Sequence, residues 1–275
     1  MKRGDTILNK IFAEEGIEYL SVVDYKECRS INPRLESKIP FTPSSVIVFV
    51  LPYYTGECEN ISRYAASLDY HIIIGEITGK IIEKLKKSYP VSNFVGVGDH
   101  SPIDERDCAL KGGLGFIGDN GLIINEKYGS YVFLGDIICD LHPDELRKGV
   151  NHTLKNENTE CCHCGACKKN CPTGILRGES SDCLSAITQR KGELSESDIT
   201  LMKKYNTVWG CDVCQSCCPH NKNPKKTPID IFYRERIQRL DMKILNSMTE
   251  DEFKRRAFSW RGRAVVERNL KLFDK

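Results

Sequence analysis

"ECCHCGACKKNCPTG", Glu160 to Gly174, places five cysteines within eleven residues. Cys161, Cys164, Cys167 and Cys171, followed by Pro172, carry the spacing C-x2-C-x2-C-x3-C-P. In that pattern short loops bring three thiolates to one face of a cubane iron-sulfur cluster, and the fourth reaches a second cluster. A second group, Cys211, Cys214 and Cys218 with Pro219, has only two close cysteines ahead of its Cys-Pro and is one ligand short. Cys183, alone between the groups, is the candidate for that ligand. The spacing thus assigns Cys161, Cys164, Cys167 and Cys218 to one 4Fe-4S cluster, and Cys171, Cys183, Cys211 and Cys214 to the other. Cys162 and Cys217 adjoin ligands and read as spectators; Cys217 could replace Cys218, but Pro219 favours Cys218. C-x2-C pairs also hold structural zinc, but a four-cysteine run ending in proline exceeds what one tetrahedral site uses.

The wider sequence agrees with metal rather than disulfide chemistry. The chain has 275 residues, 14 of them cysteine, and 40% hydrophobic content, ample for a packed core. Its N-terminus, "MKRGDTILNKIFAEEGIEYL", lacks the apolar block of a signal peptide, and its longest apolar stretch, Ser44 to Tyr54, is too short to span a membrane. A cytoplasmic location without a membrane partner is therefore expected, and disulfides are rare there. Cys28, Cys58, Cys108 and Cys139 read as small hydrophobes or surface thiols.

Working outward, Ser44 to Pro52 reads as a buried strand. In "DYHIIIGEITGKIIEKLKKSYP", Ile73, Ile74, Ile77, Ile81 and Leu85 share one helical face, and Pro90 ends the pattern. "NFVGVGD" predicts a short strand leading to a loop at Asp99, and Leu122–Asn125 with Tyr131–Cys139 predicts a hairpin around a Lys-Tyr-Gly turn. Residues 140–160 are polar and aperiodic, as in a linker. The expected class is α+β: an α/β domain over 1–150, a ferredoxin-like dicluster module over 151–226, and a helical tail over 227–275. From Asn221 onward, 15 Lys and Arg stand against 8 Asp and Glu, a balance of +7 that could meet phosphates.

About 150 residues precede the cysteines, more than an electron carrier needs. "ISRYAASLDYH" (Ile61–His71), "GDHSPIDERDCALKGGLGFIGDNGLIIN" (Gly98–Asn125), "GSYVFLGDI" (Gly129–Ile137), both cysteine groups and "RGRAVVERN" (Arg261–Asn269) together resemble the epoxyqueuosine reductase family, which is related to the reductive dehalogenases. The resemblance implies a cobalamin between the N-terminal domain and the cluster module. It also implies reduction of epoxyqueuosine to queuosine in tRNA, with electrons from a reduced flavodoxin or ferredoxin-type donor. The family's acid segment, Asp-x-x-Pro-x-x-x-Arg, falls on Asp99, Pro102 and Arg106 and makes Asp99 the general acid. An acid that holds its proton near neutral pH needs desolvation, most simply under a planar ligand.

By the same resemblance Gly115, Phe116, Ile117, Gly118 and Asn120 would line the corrin, with Leu134 and Gly135 nearby, and Arg63, Tyr64, Tyr70 and His71 would border the cavity. One departure stands out. Where the family has Gly-Lys-Asn, this chain reads Gly118, Asp119, Asn120. Longer members also continue past "RGR…RN" into a helical-repeat domain that grips tRNA. Two other readings are an electron-transfer protein whose N-terminal domain docks a partner, and a cobalamin-dependent reductase of a small organic substrate.

Overall fold

A computed structural model of the chain describes residues 7–148 and 160–273. The central sheet has four strands in the order β1-β2-β6-β3: β1 is Leu20–Asp24, β2 Ser45–Pro52, β3 Phe94–Val97 and β6 Val132–Cys139. Every pair in it is antiparallel. A small second sheet pairs β4, Phe116–Ile117, with β5, Ile123–Ile124. No helix among the described residues is long and apolar enough to cross a membrane.

Strand alternation explains why β2 is apolar throughout. Ile47, Phe49 and Leu51 enter one core, while Val46, Val48 and Val50 enter another on the opposite face. The first core is closed by the helices Ile7–Ala13 and Tyr70–Ser88, the latter through the five apolar residues that its periodicity picks out. Burying each of those isoleucines contributes roughly 1.5–3 kcal/mol over leaving it exposed. The second core is closed by the helix Glu105–Lys111, which contributes Cys108 and Ala109.

Of the expected hairpin only the turn forms, Asn125 and Gly129 exchanging two backbone hydrogen bonds of 2.9 Å, and the strands beyond it part. The Ile123–Ile124 strand pairs back onto Phe116–Ile117, and Val132–Cys139 runs between β2 and β3. Two features cause this. The Asn125 side chain accepts from the N–H groups of Lys127 and Tyr128 and donates to the Leu114 carbonyl, which ends the first strand in a tight turn. The second strand is buried on both faces and apolar but for Asp136, so it is stable only in the middle of a covered sheet.

The linker expected over 140–160 begins with a short helix, Pro143–Arg147, tied down by Arg147 Nε donating to the Val22 carbonyl. Its remainder, 149–159, lies outside the described residues, as does the boundary expected at 150. The tail is not an appendage. Ile229, Ile231 and Phe232 join the core under the sheet, and Ile237, Leu245, Phe253, Phe258 and Val266 enclose Val208 and Trp209 of the cysteine module in a further core.

Candidate functional site

The site is assembled where three chain segments meet. Ile61 forms a parallel bridge with Trp209, the Ser62 N–H donates to the Trp209 carbonyl at 2.7 Å, and the Val208 N–H donates to the Asn60 carbonyl at 2.7 Å. Asp212, adjacent to Cys211, accepts from the Arg63 N–H at 2.7 Å and from Arg63 Nη1 at 3.0 Å. Thus "ISRY" is strapped to the cysteine module by backbone pairing and one carboxylate. Asn269 closes the far side, donating to the Thr188 and Val208 carbonyls at 2.7 and 2.8 Å while fully buried. That bond gives the terminal "RN" a role no local reading of it supplies.

All 14 cysteines are free thiols. Eight of them gather into two sets. Cys161, Cys164, Cys167 and Cys218 line one small apolar pocket together with Cys162, Asp119, Asn120 and His220. Cys211 and Cys214 lie within electrostatic reach of Cys183, and Cys211 also of Cys171. Burial, followed by the neighbouring thiols, pushes Cys214 up to about 12. A thiol raised this far keeps its proton at neutral pH, and a metal that ligated it would displace that proton. Cys162 and Cys217 sit beside the first set. Cys108 and Cys139 are buried in the sheet cores, with Cys28 half-buried beside Cys108.

A cavity of about 1000 Å³ opens beside the sheet. Its apolar walls are Tyr70, Phe133, Leu122, Ile123, Leu134 and Trp260, and Tyr70 and Phe133 stack with ring centroids 4.5 Å apart. Its polar wall is a relay of side chains. His71 Nδ1 lies 2.7 Å from Asp69 Oδ1, and its Nε2 lies 3.2 Å from Asp99 Oδ2. Asp69 also caps the helix that carries His71, accepting from the His71 N–H at 2.9 Å. Burial, and then the hydrogen bond to Asp99, push the Tyr70 phenol well above its usual range. Asp99 itself is 62% exposed, on a loop where its φ is +58°.

The remaining expected residues divide. Tyr64, Tyr70, His71, Asp99, Arg106 and Leu134 line the cavity. Gly135 does not: it points to the opposite face of β6, against Phe49, because neighbouring strand residues alternate. Arg63 is engaged with Asp212 and Glu57 and stacks over Tyr131, on the side of Cys211 and Cys217. Gly115 lies against the Ile124 carbonyl, where a Cβ would collide, so it serves the β4–β5 pairing. Phe116 meets His220 edge-on at 5.0 Å, and Ile117 packs into the second core. Gly118 and Asn120 border the cysteine pocket, whereas Gly121, Leu122 and Ile123 border the large cavity. One short loop therefore forms a wall of both. Glu105, Gln189 and Trp260 also line the cavity and were not singled out from the sequence; only Glu105 lay inside a quoted motif.

Three comparisons place this arrangement among known proteins. A family model described as a 4Fe-4S double cluster binding domain matches residues 160–221. An epoxyqueuosine reductase of Gloeobacter violaceus is 31% identical over 228 residues, covering 77% of this chain and 68% of the relative. The chain belongs to the epoxyqueuosine reductase family. The Lactococcus garvieae epoxyqueuosine reductase is 28% identical over 93% of this chain and 79% of the relative. For the Staphylococcus aureus epoxyqueuosine reductase, 30% identical, the chain spans 54% of the relative's length. Among solved structures, the epoxyqueuosine reductase from Streptococcus thermophilus shares the fold with a TM-score of 0.70 at 24% identity, over 96% of this chain and 79% of that one. An epoxyqueuosine reductase with an epoxyqueuosine-modified tRNA stem loop also shares it, with a TM-score of 0.71 at 21% identity, over the same shares of the two chains. The chain is thus an oxidoreductase-family protein with a double 4Fe-4S module.

Against that family, the Asp119 departure has a structural partner. Asp119 turns from the cavity to the cysteine module, where His163 Nδ1 lies 2.8 Å from Oδ1 and Lys168 Nζ 3.5 Å from Oδ2. These two bases hold its carboxyl below the usual range, His163 first. Asp119, Cys161 and His163 also present ligand atoms within 4.8 Å of one another.

Proposed function

We propose that the protein is a cobalamin-dependent iron-sulfur reductase that converts epoxyqueuosine to queuosine in tRNA. The observation that carries this reading is the shared loop: Gly118 and Asn120 border the thiol pocket, while Gly121 to Ile123 border a cavity that Asp69, His71 and Asp99 also line. A cluster held by Cys161, Cys164, Cys167 and Cys218 would thus share this loop with a ligand in the cavity. The volume and flat aromatic wall suit a large planar group with a polar face against it.

When bound, the two clusters and the corrin supply one-electron carriers and a strongly reducing cobalt. The chain does the rest. Cys161, Cys164, Cys167 and Cys218 hold one cluster, and Cys171, Cys183, Cys211 and Cys214 the other. Tyr70, Phe133 and Leu134 present a hydrophobic wall, and Tyr64, His71 and Asp99 close the polar side. Asp99 hands a proton to the departing oxygen, oriented by His71, whose other nitrogen is fixed by Asp69. Trp260 is 57% exposed at the mouth, with the Arg261 guanidinium 3.7 Å from its ring centroid, and offers a stacking face for a nucleobase. The reading takes further support from the relative solved with a modified tRNA stem loop. The donor we place in the cytoplasm is a reduced flavodoxin or ferredoxin-type protein.

The test is turnover of epoxyqueuosine-containing tRNA by anaerobically purified, cobalamin-loaded protein with a chemical reductant. Asp99→Ala should abolish turnover while iron content and cobalamin binding persist. A wild-type protein that binds no cobalamin would favour a carrier, and one that binds it yet leaves the tRNA unchanged would favour a small organic substrate.

A further inference from the structure

Converting an epoxide to an alkene breaks both carbon–oxygen bonds, forms one carbon–carbon π bond and releases the oxygen as water. Each turnover therefore consumes two electrons and two protons. The clusters account for the electrons, but Asp99 carries a single proton. A second acid lies directly beneath it. Glu105 lines the same cavity, and both of its carboxylate oxygens accept from the Asp99 backbone N–H, at 2.9 and 3.1 Å. That contact holds Asp99 at φ +58°, a conformation non-glycine residues adopt only when their surroundings impose it.

We propose that Glu105 is a second proton-holding group of this reaction, storing the proton that re-arms Asp99 after Asp99 has protonated the departing oxygen. The inference rests on the reading of Asp99 as the acid. The transfer balances: neutral Glu105 and ionised Asp99 become ionised Glu105 and neutral Asp99, and solvent entering the cavity then reloads Glu105.

The surroundings of Glu105 suit a reservoir. Burial first, and then the charges of Asp99 and Asp104, push its carboxyl up to about 7 against the pull of the Asp99 N–H and of His71. The nearby cations are engaged elsewhere. Arg29 pairs with Asp104, while Arg106 Nη1 donates to the Gly121 carbonyl at 3.3 Å. Behind Glu105, from β6, stands Asp136, fully buried with neither carboxylate oxygen hydrogen-bonded to any described residue. Burial, and then the charge of Glu105, push the Asp136 carboxyl well above its usual range.

Two measurements decide the matter. In cluster-loaded protein without cobalamin or tRNA, infrared titration should show a neutral-carboxyl band lost with a midpoint near pH 7, absent from Glu105→Gln. In single-turnover reduction under excess reductant, wild-type rates should fall as pH rises through the same range. Glu105→Gln should be slower by about tenfold or more and lack that fall, whereas Glu105→Asp should restore it. No such band in wild type overturns the proposal, as does a Glu105→Gln protein that retains the alkaline fall, whatever its absolute rate. If Glu105→Gln fails to load clusters, the wild-type band and the Glu105→Asp profile decide. An active Asp99→Ala protein would refute the underlying acid assignment instead, while inactive Asp99→Ala beside unimpaired Glu105→Gln would refute this inference alone.

Discussion

Asp119 Oδ1 lies 2.8 Å from His163 Nδ1, joining the glycine-rich loop of the N-terminal half to the cysteine module two residues after Cys161. The family pattern has lysine here, so this chain carries the acid on the loop and the bases, His163 and Lys168, on the module. Asp119→Lys should set three bases against one another and loosen the pocket around Cys161. The expected outcome is loss of iron and of the roughly 400 nm cluster absorption on anaerobic purification, with a milder loss in Asp119→Asn. Full cluster content in Asp119→Lys would show that the contact is incidental.

Cys183 decides the second cluster. It is the only proposed ligand outside the two tight groups, and it lies near Cys211 and Cys214. Cys183→Ala should halve the iron content, and Cys217→Ser, beside but outside the first set, should keep all of it. Equal iron in both variants would redraw the ligand assignment.

Gly129 occupies the left-handed region at φ +61°, where a Cβ would collide with Asn221 Oδ1. Asn221 accepts from the Ser130 N–H at 2.9 Å and donates to Ser130 Oγ and the Gln215 carbonyl, pinning the sheet to the segment between Cys214 and Cys218. Gly129→Ala should cost at least about 2 kcal/mol, from the backbone conformation and the lost clamp together. A thermal melt of the cluster-loaded protein reads it, and an unchanged midpoint would contradict the clamp.

Trp260 Nε1 donates to Gln189 Oε1 at 3.1 Å, which fixes the ring at the cavity mouth. Trp260→Ala should weaken tRNA binding by about 1–3 kcal/mol, the usual worth of one base stack. Cobalamin binding and cluster content should stay as they are. Equal tRNA affinity in a binding titration would remove Trp260 from the interface.

Glu105 also couples stability to pH. An unfolded glutamate loses its proton near 4.5, whereas the folded one keeps it to about 7. Between those values the folded state binds more protons than the unfolded one, so the fold loses stability as pH rises, by about 3 kcal/mol in all, and the cost is complete above pH 7. Glu105→Gln escapes it. The variant should melt higher than wild type at pH 8 and nearly equal to it at pH 5. A pH-independent difference would mean Glu105 is ionised throughout.

The cysteine spacing, the apolar runs and the helical period were legible because each is a local constraint. Ligands three residues apart must share a cluster, and Ile73 to Leu85 must share a face, whatever surrounds them. The parted hairpin marks where local reading stops: Val132–Cys139 looks like the partner of the strand before it, but its two buried faces require neighbours on both sides, and those come from Ser45–Pro52 and Phe94–Val97. The site shows the same division. Asp99 and His71 stood out from a motif, but nothing in the sequence distance between Asp119 and His163, or between Asn269 and Thr188, announces contact. Hydrogen bonds and desolvation depend on which segments pack together, so the burial of Glu105 beneath Asp99 and the sharing of one loop between thiol pocket and cavity were settled only when the chain closed on itself.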